Sequence, residues 1–99
     1  MDCKLPRQSQ LGHTMEKSIY AEEYRLFLAA LRAARESAGL TQVEVASRLD
    51  VTQSLVSKCE RGERRLDVIE LKNWCIALGT TMGEFIISLE QAMSDSGRA

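Results

Sequence analysis

At 99 residues with 44% hydrophobic side chains, the chain has material for one small core and little more. One proline and five aromatic residues argue against an all-β chain and for helices built on Leu, Ala, Val and Ile. The formal charge of -1 conceals a gradient: residues 24–66 hold eight Lys or Arg against five Asp or Glu, whereas residues 67–99 hold two against five. Attraction to a polyanion depends on the local field, so an acidic total does not exclude nucleic acid as a partner.

No apolar run reaches the 18 to 20 residues, roughly, of a membrane helix, and the opening MDCKLPRQSQLGH lacks the apolar stretch of a secretory signal, so a cytoplasmic location is expected. Cys3, Cys59 and Cys75 form an odd set without a C-x-x-C pair. That supports neither a zinc site nor a disulfide framework, and Cys59 and Cys75 read as small core residues. His13 is the only histidine, and no glycine-rich phosphate loop occurs. No catalytic residue, metal ligand or cofactor site is therefore assigned, and the chain is not expected to be an enzyme.

Taken in order, residues 1–19 are polar, lack a sustained apolar period and contain Pro6 and Gly12, which predicts a flexible N-terminal arm. From residue 20 to 93 the pattern predicts a single domain, followed by a flexible tail over 94–99. Tyr24, Phe27, Leu28, Leu31 and Ala34 recur at helical spacing, with Glu22 and Glu23 in the first turn and Gly39 placed to end the helix. Three further helix starts share one chemical form: Thr41, Asp67 and Thr81 each stand three residues before a glutamate, Glu44, Glu70 and Glu84, the spacing of a capping box. Thr52 is a fourth cap without the reciprocal glutamate. Gly62 and Gly79 close the third and fourth helices, which makes five short helices with tight turns.

Between Gln42 and Arg61 the apolar set is Val45, Ala46, Leu49, Val51, Val56 and Cys59, interrupted by a break at Asp50 and Val51. Two helices joined so tightly must cross steeply, and Ala46 is small where the second passes over the first. This predicts a helix-turn-helix over 42–61 with Asp50 at a left-handed bend.

Residues 31–87 closely resemble the Cro/C1-type (XRE-type) helix-turn-helix family of phage repressors and bacterial regulators, on GLTQ, the small Ala46, VTQS and ERGERR. Asp50 replaces the common turn glycine, Leu66 a frequent proline, and Cys59 a larger apolar residue. The resemblance implies a compact five-helix, lambda-repressor-like all-α domain that binds double-stranded DNA as a transcriptional regulator, expected to be a repressor acting as a homodimer on a palindromic operator.

In such folds the second helix of the motif, here about 53–61, enters the major groove. Gln53 offers a donor and an acceptor together, the complement of adenine N6 and N7, and Lys58 can donate to guanine. Ser54 and Ser57 are further base-reading candidates, while Leu55 either meets a thymine methyl or packs inward. Gln42, Thr52, Arg61, Arg64 and Arg65 form the backbone-contacting group, with Arg64 foremost, and Gln42 is similar to the family glutamine that touches phosphate and supports the recognition glutamine.

The resemblance also implies an ion pair between Arg35 and Glu60, architectural rather than part of the footprint. On the fifth helix Met82, Phe85, Ile86, Leu89 and Met93 share one face. Ile87 lies off it, which makes it a candidate dimer contact. Trp74 is expected at or near the core. The rival reading is a protein-interaction module of the same fold, antitoxin-like or an accessory factor.

Overall fold

The computed structural model describes the backbone of residues 14–95 and the side chains of residues 21–95. Five helices fill this span: α1 (Thr14–Ser37), α2 (Gln42–Leu49), α3 (Gln53–Glu60), α4 (Val68–Leu78) and α5 (Met82–Asp95). No strand occurs among the described residues.

Helix α1 begins at Thr14, inside the stretch 1–19 expected to be an arm. The apolar period starts only at Tyr24, but no glycine or proline stands between Gly12 and Gly39, and Met, Glu, Lys and Ala favour a helix by intrinsic propensity. Residues 1–13 and 96–99 lie outside the described residues. At the other end α5 continues to Asp95, two residues beyond the expected boundary at 93.

The caps follow the sequence closely, with one exception. At α2 and α4 the Thr41 and Asp67 side chains accept from the Glu44 and Glu70 backbone N–H, and both glutamates return a bond to the cap N–H. At α5 the Thr81 hydroxyl accepts from Glu84 N at 3.1 Å, but the Glu84 carboxylate accepts from the Thr80 hydroxyl at 3.0 Å. A hydroxyl one residue earlier competes for the same carboxylate, so this cap is only half of the predicted box.

The turn of the helix-turn-helix is set at Asp50, the only non-glycine residue with positive φ (60°) among the described residues. Its N–H donates to Ser47 O at 3.2 Å and the Val51 N–H to Ala46 O at 3.0 Å, which terminates α2 and turns the chain into α3. Aspartate tolerates the left-handed region poorly compared with glycine, so the family glycine is replaced here at some cost.

Leu31, Val45, Val56, Cys59 and Cys75 are fully buried, and Ala46, Leu71, Trp74, Ala77, Leu78, Phe85 and Leu89 complete the core. Trp74 is thus a core residue, as expected. Phe27 meets Phe85 edge to face at 5.8 Å, tying α1 to α5. Burial pushes both the Cys59 and the Cys75 thiol up in pKa, although the Arg64 guanidinium pulls Cys59 the other way. Gly62 closes α3 at φ 81°, and a Cβ there would stand 2.9 Å from Leu28 Cδ1. The left-handed backbone favours glycine at this position, whereas the contact is with the end of a flexible side chain that can move aside.

Candidate nucleic-acid interface

Gln53, Ser54 and Lys58 are all exposed on α3, whose opposite side buries Val56 and Cys59. The core therefore fixes which side of this helix faces outward. Leu55 is partly buried and packs against the core, in keeping with the inward one of its two readings. Ser57 is half-buried and its hydroxyl is engaged by Nη1 of Arg61 in a very short contact. Thr52 accepts from the Leu55 N–H at 3.1 Å and acts as the cap of α3.

Behind the outward face lies the Arg35–Glu60 pair. Arg35 donates from Nε to Glu60 Oε2 at 2.6 Å and from Nη2 to Oε1 at 3.1 Å, a bidentate fork, and from Nη1 to Leu40 O at 3.0 Å. The Glu60 side chain is 0% exposed and that of Arg35 13%. Hydrogen bonding to Glu60 raises the Arg35 pKa further, partly offset by desolvation. Arg32 approaches Glu60 Oε1 at 3.8 Å from the solvent side.

The carboxylate has one more partner. Gln42 Nε2 donates to Glu60 Oε1 at 3.0 Å, and Gln42 Oε1 accepts from Gln53 Nε2 at 2.8 Å. The first residue of α2 is thereby joined both to the end of α3 and to its beginning. Sequence spacing shows neither bond, since the partners lie 18 and 11 positions apart; the resemblance suggested the second and not the first.

The three loop arginines each have an intramolecular partner. Arg61 holds Glu63 with two bonds, from Nε at 2.9 Å and from Nη2 at 3.1 Å. Arg64 donates from Nη2 to Glu70 Oε2 at 2.7 Å, while Oε1 of the same carboxylate caps α4 through the Asp67 N–H. Arg65 lies over the Tyr24 ring at 4.2 Å, a cation–π contact that pins the loop to α1. The guanidinium of Arg61 holds Glu63 below its ordinary carboxylate range, and Arg64 does the same for Glu70 with help from the Asp67 N–H.

Glu63, Glu70 and Tyr24 were not singled out from the sequence as partners of these arginines. Their spacings of two and six, and the 41-residue separation of Tyr24 from Arg65, follow from the loop path and not from any helical period. Arg48 is another such residue: its Nη1 donates to Ala77 O at 2.8 Å, closing the last turn of α4 with a positive charge.

On the far side, Ile87 is 58% exposed on α5, off the face that buries Phe85 and Leu89. Ile86, which spacing assigns to the buried face, is itself 37% exposed. No group of three or more potential metal ligands occurs among the described residues, and none of their helices is long and apolar enough to cross a membrane.

A family model described as helix-turn-helix matches residues 31–85. Among solved structures, an XRE-family like protein from Pseudomonas syringae pv. tomato str. DC3000 is 43% identical with a TM-score of 0.74, covering 80% of this chain and 96% of its own. The clp gene regulator ClgR from Corynebacterium glutamicum is similar in two structures: one at 30% identity and TM-score 0.64, covering 72% and 92% of the two chains, the other at 28% and 0.67, covering 76% and 80%. No curated protein matches. A tightly joined helix pair with a polar, outward-facing α3, together with these matches over most of the described region, makes this chain a helix-turn-helix DNA-binding protein of the Cro/C1-type (XRE-type) family, a family of non-enzymatic transcriptional regulators.

Proposed function

We propose that the chain binds double-stranded DNA sequence-specifically in the cytoplasm and represses transcription by occupying a palindromic operator, with α3 in the major groove. The observation that carries this is the Gln42–Gln53 bond, anchored on buried Glu60, which holds a carboxamide at the exposed start of α3. Gln53, Ser54 and Lys58 then read bases, with Ser57 beside them at the less accessible edge. Gln42, Thr52, Arg61, Arg64 and Arg65 contact phosphates, Arg61 and Arg64 exchanging Glu63 and Glu70 for backbone oxygens.

Two copies related by a two-fold axis would place their α3 helices about 34 to 36 Å apart, one turn of duplex. Ile87, with Ile86 beside it, is the proposed apolar contact between copies on α5. The regulatory role of ClgR, a clp gene regulator, supports assignment to transcription control.

A second reading, docking to another protein, is favoured by Ile69 and Ile76, 60% and 64% exposed and seven residues apart on one side of α4. Selection from a random duplex library separates the two. Enrichment of a two-fold symmetric site with half-sites one turn apart supports the DNA reading, and recovery of unenriched sequence rejects it.

A further inference from the structure

The hydrogen bonds leading from the core to the surface of α3 have only one allowed polarity. Glu60 offers carboxylate oxygens, which accept and cannot donate. With Arg35 on both oxygens at 2.6 and 3.1 Å, the carboxylate is held in place and its charge is met. Gln42 must therefore turn its amide nitrogen inward, to Oε1 of Glu60 at 3.0 Å, and its carbonyl outward. That carbonyl accepts and cannot donate, so Gln53 must turn its own nitrogen toward it, at 2.8 Å. What remains free at the tip of Gln53 is one N–H and the carbonyl oxygen.

We infer that Glu60 is a specificity-positioning residue: its negative charge, relayed through Gln42, fixes the amide orientation of Gln53 and so a preference for adenine over guanine at the base pair Gln53 meets. One donor beside one acceptor complements adenine N7 and N6, whereas guanine presents two acceptors, N7 and O6. A glutamine whose amide could turn over would match guanine with its two N–H groups instead. An isolated carboxamide chooses between these orientations freely; a carboxamide chain that begins on a carboxylate does not. Arg32, at 3.8 Å from the same oxygen, adds positive charge without altering the direction of any bond in the chain.

The inference rests on the proposed DNA reading, and the experiment separates the two. Dissociation constants would be measured for the full chain on two selected duplexes that differ only in adenine or guanine at the Gln53 position. The proteins are the native sequence, Glu60→Gln, Gln42→Leu, the double variant and Gln53→Ala, each checked for folding by its thermal melt. Glu60→Gln allows the first amide to reverse, and the adenine-over-guanine ratio is expected to fall by about fivefold or more, the lower end of the discrimination a bidentate base contact gives. Gln42→Leu breaks the relay while leaving the ion pair, and should lower the ratio by itself. In the Gln42→Leu background the Glu60→Gln change should then have almost no effect on the ratio, the signature of two residues acting through one path.

A folded Glu60→Gln protein with the native ratio overturns the inference, as does an equal shift with and without Gln42. Should Glu60→Gln not fold, an unchanged ratio in Gln42→Leu overturns it equally. A preference that survives Gln53→Ala removes both the inference and the base-reading role of Gln53.

Discussion

Two sets of arginine–glutamate pairs flank the helix-turn-helix, and they do opposite things. Arg35 and Glu60 meet between α1 and α3 with the carboxylate fully enclosed, whereas Arg64 and Glu70 face each other with side chains 42% and 36% exposed. Chemistry and distance are nearly the same in both, at 2.6 and 2.7 Å. Solvent makes the difference. A charge taken out of water cannot lose its partner without being left bare, so the buried pair is fixed architecture. A surface pair gains little over its hydrated members, so phosphate can replace one of them. Arg61 and Arg64 are therefore neutralised but available, and the Arg35 charge is not.

The largest expected effect comes from breaking the enclosed pair. Arg35→Ala leaves Glu60 buried without its cation and should cost about 3 to 5 kcal/mol of folding free energy, read by chemical denaturation. Unchanged stability would remove the architectural role. Next comes Gln53→Ala, which should leave stability alone and cost about 1 to 3 kcal/mol of discrimination at one base pair. Arg64→Ala should weaken binding to all duplexes alike and reduce the salt slope of the affinity by about one, with no change in sequence preference. A subtler effect follows from Glu63, which occupies Arg61 in the free protein. Glu63→Gln frees that guanidinium and removes a negative charge from the loop proposed to meet phosphate, so affinity should rise modestly while base preference stays the same.

The smallest effect is the pH response of the core thiols. Both Cys59 and Cys75 have folded pKa values raised by burial. The folded state thus favours the neutral thiol: its stabilisation is complete below the unfolded cysteine value of about 8.5 and is lost as pH rises from there through the folded value. Melting temperatures should fall above that pH, and Cys75→Ala should flatten the fall.

How far the sequence revealed this depends on the range of each interaction. Caps at Thr41 and Asp67 were legible because a side chain three residues away decides them, and the left-handed bend at Asp50 because one position carries it. Thr81 shows the limit, since the neighbouring Thr80 hydroxyl diverts Glu84. The start of α1 was hidden for another reason: its first residues follow propensity with no apolar period to announce them. Arg35 with Glu60 came from resemblance alone, their separation of 25 residues being invisible to any local rule. The link from Glu60 to Gln42, and the glutamates that hold the loop arginines, depend on helices already packed against each other. Contacts of that kind first become visible in three dimensions.

The contrast between the two sets of pairs is tested most directly by following the arginine Nε–H signals of the folded chain by NMR as a selected duplex is added. Arg61 and Arg64 should shift as their glutamates are exchanged for phosphate, while Arg35 keeps its position. Saturating DNA that leaves the Arg61 and Arg64 signals in place, or that moves Arg35 as far as either, would contradict the account.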